Sequence, residues 1–103
     1  MANGRIAFDD ILRGIIGNGN VYFQPPESVK IKYDCIIYEV TDADTKYADN
    51  LPYHYTKAYE VTVIYRNPDS DLPDKIAALP MSRFARHFNV DNLNHDVFIV
   101  YYY

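Results

Sequence analysis

The sequence has a single cysteine, no tryptophan and fewer basic than acidic residues. With Cys35 alone, the chain has neither an internal disulfide nor a metal site built on paired cysteines, and its apolar neighbours in CIIYEV predict a buried thiol. The 10 basic and 14 acidic residues give a formal charge of −4, which argues against a protein that grips nucleic-acid phosphates. We find neither a signal peptide nor an uncharged segment long enough to cross a bilayer. We therefore expect a protein made in a reducing cytoplasm, with no membrane partner.

What the sequence does have is apolar and aromatic content in a short chain. Hydrophobic residues make up 49% of its 103 residues, including eleven tyrosines and five phenylalanines. This composition predicts one globular domain spanning residues 1–103. Tyrosine combines an apolar ring with a polar tip, so it suits surfaces that are wet in the free subunit and buried on association.

The first forty residues predict one helix followed by extended segments. Apolar residues from Phe8 to Ile16 recur three and four positions apart, which is typical of an amphipathic helix, here over residues 4–16. Gly17 stands where a left-handed C-terminal cap is wanted, and Gly14 indicates close approach to a sheet. Three extended segments follow: VYFQ at 21–24, SVKIKY at 28–33 and CIIYEV at 35–40.

The second half of the chain predicts a long strand, a second helix and a terminal strand. The alternation in YEVTVIYR indicates a half-buried strand over residues 55–66. Ser70 or Asp71 is a suitable cap for the following helix, and Pro80 ends it. The next segment, MSRFARHFNVDNL, predicts a helical turn or an irregular piece with two phenylalanines, Phe84 and Phe88, as core anchors.

DVFIVYYY at 96–103 has large apolar side chains on both faces, so this terminal strand is central in its sheet or covered by a partner. These elements together predict an α+β fold. An N-terminal helix and a second helix pack on one face of a small, mostly antiparallel sheet of four to five strands, in the order helix, strands, helix, strand.

Two regions are candidates for a protein interface. TDADTKYADNLP at 41–52 is rich in aspartate and has no apolar periodicity, which predicts a long exposed loop. Three consecutive tyrosines end the chain, more aromatic surface than so small a domain can readily cover, which favours a homo-oligomer. We expect the interface to include Asp42, Asp44, Tyr47, Asp49, Asn50, Tyr53, His54, Tyr55, Tyr101, Tyr102 and Tyr103.

No pattern in the sequence points to catalysis, a metal or a cofactor. His54, His87 and His95 lack the spacing that brings two imidazoles to one metal, and His95 is better explained as a structural residue bonded to a nearby backbone carbonyl. Cys35 has no activating neighbour in the sequence. The aspartates do not have the spacing of a calcium loop, so we expect solvated loops there. We expect a protein that is not an enzyme.

Three stretches carry a resemblance to a known class of proteins: PPESVKIKYDCIIYE, then ADNLPYHYTKAYEVTVIYRNPDSDLPDKIAALP, then FNVDNLNHDVFIVYYY. From about residue 21 to the end, the chain resembles small proteins encoded in the structural gene clusters of tailed bacteriophages, in particular tail terminator and tail-to-head joining proteins. The resemblance implies a helix packed on a small sheet, with a second helix before the last strand.

The same resemblance implies a virion protein that assembles in the host cytoplasm. It implies a hexameric ring at the head-proximal end of the tail tube, which stops tube polymerisation and joins the tail to the head connector. The partners would be other copies of the chain, the tail tube protein and the connector or stopper protein, while DNA passes through the ring without specific binding. An acidic lumen would suit this passage. The alternatives are a small α+β binding module or an enzyme with a histidine and a carboxylate, His54 or His87 being the candidate histidines.

Overall fold

A computed structural model describes residues 5–26, 28–41, 44–48 and 51–102, and it describes the side chains outside 44–48, 51–57 and 102. These described residues form two helices and six strands. In chain order they are α1 (Arg5–Ile16), β1 (Val21–Phe23), β2 (Cys35–Val40), β3 (Asp44–Ala48), β4 (Leu51–Tyr65), α2 (Leu72–Ala77), β5 (Ser82–Val90) and β6 (Leu93–Tyr102).

Five strands form the main sheet, in the order β1, β2, β4, β6, β5. The β1–β2 pair is parallel and the other pairs are antiparallel, so the sheet is mostly antiparallel. The sixth strand, β3, pairs with the first part of β4 outside this order. The predicted α+β class is confirmed, with one strand more than expected.

The core lies between the two helices and one face of the main sheet. Alternate residues of β2, β4 and β6 point to this face, as the period of two in a strand requires. From α1 come Phe8 and Leu12, and from α2 come Leu72 and Ile76, which meet the same face. The sheet residues of this core are Val21, Ile36, Tyr38, Tyr59, Val61, Val63, Tyr65, Phe98 and Val100. Both helices therefore lie on one face, as predicted.

The carboxylate of Asp9 links helix α1 to the sheet through a hydrogen bond. Asp9 lies between Arg5 and Arg13, one helical turn away on either side, and forms an ion pair with each. The hydroxyl of Tyr38 in β2 donates a hydrogen bond of 2.5 Å to Asp9 Oδ2. Gly17 has a φ of +78°, which confirms the left-handed position predicted after the helix. Polar bonds thus join the helix to β2 alongside the apolar contacts.

Two predictions about the first forty residues are wrong. A Cβ atom added at Gly14 would meet nothing within 4 Å, so this glycine does not mark close approach to the sheet. The segment 28–33 is not a strand. Its place beside β2 is taken, because β2 already pairs with β1 on one side and β4 on the other. The segment instead crosses near β1, where the amide of Lys32 donates to the hydroxyl of Tyr22 at 3.2 Å.

The segment after α2 is also different from its prediction. It forms the strand β5 rather than a helical turn or an irregular piece, and it pairs with β6 in a hairpin. Asp91 and Asn92 connect the two strands, and their φ angles of 54° and 63° are those that a two-residue turn of type I′ requires. Phe84 is 55% exposed and Phe88 is 38% exposed, so neither is a core anchor.

Candidate functional site

The acidic region predicted as a long loop is instead largely a β-hairpin. β3 pairs antiparallel with the first six residues of β4, in a register that runs from Asp44 opposite Thr56 to Ala48 opposite Leu51. The main sheet begins only at Lys57, which pairs with Tyr102. We call the paired segments 44–48 and 51–56 the arm. At about 3.4 Å per residue, its six residues of β4 extend about 20 Å beyond the sheet, which agrees with the elongated dimensions of 49 × 24 × 23 Å.

Most of the predicted interface residues fall in or beside this arm. Asp44 and Tyr47 lie in β3, while Tyr53, His54 and Tyr55 lie in β4. Tyr47 is paired with Pro52 and Lys46 with His54, so the register shifts at Tyr53 and the two strands form a bulge there. Asp42, Asp49 and Asn50 lie outside the described residues. The structure thus brings together residues that the sequence placed on one exposed segment.

The end of the chain lies next to the base of the arm. β6 runs antiparallel to β4, and its last two residues, Tyr101 and Tyr102, pair with Ala58 and Lys57. Tyr101 is half-buried, and its amide donates to the carbonyl of Met81 at 3.2 Å. Tyr103 lies outside the described residues. The two regions predicted as interface are therefore neighbours at one end of the sheet.

The two edges of the main sheet are unlike each other. β1 has three residues, and Arg13 of α1 covers its outer side by donating to the carbonyls of Gly19 (3.1 Å) and Val21 (3.3 Å). β5 has nine residues and pairs with β6 on one side, while within the described part of the chain no strand pairs with its other side. Phe84, Phe88 and Val90 on this strand are exposed. β5 is therefore the long open edge of the sheet.

A polar network lies on the helix-facing side of the same hairpin. Asp96 of β6 is 7% exposed, and its two oxygens have different partners. Oδ2 accepts a hydrogen bond of 2.8 Å from the hydroxyl of Tyr65, and Oδ1 is hydrogen-bonded to Nδ1 of His87. The imidazole is 47% exposed, so its other nitrogen, Nε2, is free to meet solvent or a ligand. This is the arrangement of a histidine oriented by a carboxylate.

His87 was predicted only together with an unnamed carboxylate, and Asp96 was not identified as that partner. The signal that identifies it is the two-residue turn, because strands joined at Asp91–Asn92 pair residues at equal distances from the turn. This rule places His87 opposite Asp96, as observed. Because MSRFARHFNVDNL was predicted as a helical turn or an irregular piece, the pairing of His87 with Asp96 was not considered.

Other chemistry-bearing residues have structural roles. His95 is bonded through Nδ1 to the carbonyl of Leu93 at 3.1 Å, which confirms its predicted partner, and its ring stacks on Phe88 with centroids 4.7 Å apart. Cys35 is buried as predicted, and burial raises the pKa of its thiol to about 12, which makes it a poor nucleophile. Within residues 5–26, 28–41, 44–48 and 51–102, no three His, Cys, Asp or Glu side chains lie together as metal ligands would.

No protein-family model matches this chain, and comparison with curated proteins and with solved structures finds no match either. Neither helix of the described chain has the length and apolar character that a membrane crossing needs. The structural features that bear on function are therefore the arm, the open edge of β5 and the polar network around Asp96.

Proposed function

We propose that this protein is a self-assembling structural subunit that forms a ring at the neck of a tailed bacteriophage. The ring would cap the head-proximal end of the tail tube, stop its polymerisation and join the tail to the head connector. The observation that carries this proposal is the arm, a two-stranded hairpin that continues β4 beyond the main sheet. The fold class and the order of elements agree with the layout that the resemblance implies.

An arm of this kind favours assembly for an energetic reason. A two-stranded hairpin is at best marginally stable in water, because it lacks a second layer against which to bury side chains. This one contains Tyr47, Tyr53 and Tyr55, and aromatic residues of this type are enriched at protein interfaces. A neighbouring subunit or ring would supply the missing layer. The half-buried Tyr101 beside the arm's base extends the same surface.

Charge also suits the proposed role. The protein has a net charge of −4, and residues 41–52 contribute three aspartates against one lysine. Carboxylates facing a central channel repel phosphates, so DNA would pass without being held. The proposal needs no bound metal or cofactor, because a ring of this type works by the complementarity of its surfaces.

The first test is the state of association of the purified chain. Native mass spectrometry and light scattering at micromolar concentration are expected to show a ring, with a hexamer as the expected size. If the free protein is monomeric, isolated tail tubes should recruit it to one end, which electron microscopy of labelled protein would show. A protein that stays monomeric and does not bind tubes would rule out the proposal.

The polar network supports a second candidate function, an enzyme or ligand-binding module. His87 held by Asp96 could take up or release a proton at Nε2, and Tyr65 would fix the carboxylate that orients it. A panel of ester, amide and phosphate substrates tests this function. Turnover that is lost in His87→Gln, with the state of association unchanged, would support it; no turnover by the unaltered protein would leave assembly as the function.

A further inference from the structure

The open edge of β5 is the feature of the main sheet that the proposed function leaves without a role. An unpaired edge strand presents a row of backbone amides and carbonyls that another strand can join. Proteins limit this hazard with short edge strands, prolines, charged side chains, bulges or covering segments, and β1 has such protection in its short length and in Arg13. β5 has one bulge and two arginines, but it has nine residues and no proline, and it bears the exposed Phe84 and Val90. Its length and its exposed apolar side chains favour an edge that receives a strand, and its charges limit which strand can join.

The charge of the strand limits what can occupy it. Residues 82–90 include two arginines and one histidine but no carboxylate. Arg83 and Arg86 are both exposed. Arg86 forms an ion pair with Glu60 at 3.7 Å, but an exposed pair of this kind contributes little and leaves the guanidinium accessible. The strand that joins this edge should therefore be acidic or flanked by acids.

Two copies of β5 joined edge to edge would not meet this requirement. Such a contact is symmetric, so it would bring the arginines of one strand near those of the other, and like charges on paired strands are destabilising. It would also make a closed dimer rather than a ring. Within the described residues the arm has two open sides, since β3 and residues 51–56 of β4 pair with each other and with no other strand, and β3 is the side with the acidic sequence. In the sequence, residues 42–50 have three aspartates and one lysine.

We infer that the β5 edge of one copy receives strand β3 from the arm of the next copy. This inference depends on the proposed assembly and specifies its contact. Because the two surfaces differ, the contact is head-to-tail, and head-to-tail contacts repeat around a ring when the rotation closes. Main-chain hydrogen bonds would supply affinity, while the arginines of β5 and the aspartates of the sequence 42–50 would set direction and partner. The arm would thereby gain the third strand that a lone hairpin lacks.

The test is a charge exchange between the two surfaces. Arg83→Glu with Arg86→Glu, and separately Asp42→Lys with Asp44→Lys, should each weaken association of the purified chain by more than about tenfold, because each variant sets like charges against each other. Combining all four substitutions should restore association, since the opposite signs face each other again. A matched control is Lys30→Glu with Lys32→Glu, which makes the same change of charge at two exposed positions outside the strands and should have no effect.

Mixing the two separate charge variants gives a sharper readout. Neither variant can assemble alone, but both kinds of contact between unlike variants set opposite charges against each other, so the mixture should form rings in which the two variants alternate, which native mass spectrometry would show. Circular dichroism of every variant shows that it is folded. If the wild-type chain is monomeric up to millimolar concentration, this inference is wrong. The proposal that the free chain assembles by itself is then wrong as well.

Other outcomes separate the two proposals. Wild-type rings that are unaffected by the β5 substitutions overturn the inference and leave the assembly standing. Rings that are lost with the β5 substitutions in a folded protein and are not restored by the exchange show that something other than the arm occupies the edge, which also overturns the inference.

Discussion

At the scale of single residues, Asp96 is the side chain whose environment demands an explanation. A buried carboxylate is costly unless hydrogen bonds replace the water it has lost. Tyr65 of β4 and His87 of β5 supply one bond to each of its oxygens. Because Asp96 itself belongs to β6, the network joins three neighbouring strands of the sheet. It contributes to stability whether or not His87 has a chemical role.

Replacing Tyr65 by phenylalanine tests this structural contribution. The substitution keeps the ring and removes the hydroxyl that donates to Asp96, so a buried carboxylate oxygen loses its partner. We expect the free energy of unfolding to fall by about 1–2 kcal/mol. Chemical denaturation followed by circular dichroism measures it. Tyr22→Phe is the matched control, because its hydroxyl accepts from the exposed amide of Lys32 and water can replace it. Equal losses in the two variants would contradict the expectation.

Alkaline pH should destabilise the protein through three buried groups. Burial, with a smaller contribution from a hydrogen-bonded carboxylate, raises the pKa of Tyr38 and Tyr65 from 10.0 to about 12. Burial also raises the pKa of the Cys35 thiol from 9.0 to about 12. All three groups are neutral when protonated, so the unfolded chain releases their protons at lower pH than the folded chain does. Their contribution to stability is complete below the unfolded pKa values and is lost as the pH rises through the folded ones.

The measurement is the free energy of unfolding at a series of pH values. It should be unaffected by these groups below pH 9.0 and fall steeply between pH 10.0 and pH 12, by about 1.4 kcal/mol per pH unit for each group that has begun to titrate. Tyr65→Phe removes one group, so its slope in this range should be shallower than that of the unaltered protein. A flat profile across the range would show that the three groups do not titrate differently on folding.

At the scale of elements, the attachment of α1 shows how a short helix is fixed on a sheet. Phe8 stacks on Tyr59 with centroids 4.8 Å apart and meets the edge of Tyr38 at 5.6 Å. Beside these rings, Asp9 binds both arginines of the helix and the hydroxyl of Tyr38. Apolar burial supplies most of the stabilisation, and the Asp9 bonds favour one orientation of the helix on β2.

Asp9→Asn tests the polar part of this attachment. The substitution keeps the size of the side chain and an acceptor oxygen but removes the charge, so both ion pairs are lost and the bond from Tyr38 weakens. We expect the free energy of unfolding to fall by about 1–3 kcal/mol. Asp10→Asn, on the exposed side of the same helix, is the control and should change it by less than about 0.5 kcal/mol. Similar values for both variants would mean that Asp9 is no more than a surface residue.

Some elements are predicted from the sequence better than others. A sequence pattern predicts well when it fits one type of secondary structure, and poorly when it fits two. Helix α1 has a long apolar period that fits one structure, and the six-residue, mostly apolar run of β2 favours a strand because it is short and rich in β-branched residues. In β5, the four-residue spacing of Phe84 and Phe88 fits a helix equally well. The bulge between Phe84 and Arg86 breaks the strand alternation that would have distinguished the two.

Residues 41–52 were predicted as a loop because β3 has little apolar content, and the strand that pairs with β3 is β4, which the sequence of β3 alone does not indicate. The sequence likewise predicts one part of the candidate site and not another. Exposure and composition were enough to name Tyr47 and Tyr55, but not to show that they share a hairpin. The pairing of His87 with Asp96 depends on a turn whose residues, Asp91 and Asn92, have to adopt left-handed conformations, which composition alone does not reveal.

At the scale of the whole molecule, the protein is one-sided. Both helices pack on one face of the sheet, while the opposite face has the buried Cys35, Ile64 and Val97 and also apolar residues that are half-buried or exposed, among them Ile99, Phe88 and Val90. The arm extends from one end of this sheet and β5 lies open along one edge. The described core residues lie in the helices and the main sheet, and we expect folding of the domain and formation of the assembly to be separable.

Removing the arm tests this separation. The amide of Thr41 donates to the carbonyl of Ala58, so β2 and β4 are already adjacent at the arm's base. Replacing residues 43–56 with Asn-Gly should close them with a two-residue hairpin turn, since this dipeptide favours type I′. We expect the free energy of unfolding to change by less than about 1 kcal/mol, because every core residue among the described side chains is kept. Association should be abolished, because the arm supplies one of the two surfaces of each contact. Native mass spectrometry and denaturation measure the two quantities. Rings of unchanged size without the arm would show that the subunits associate through another surface.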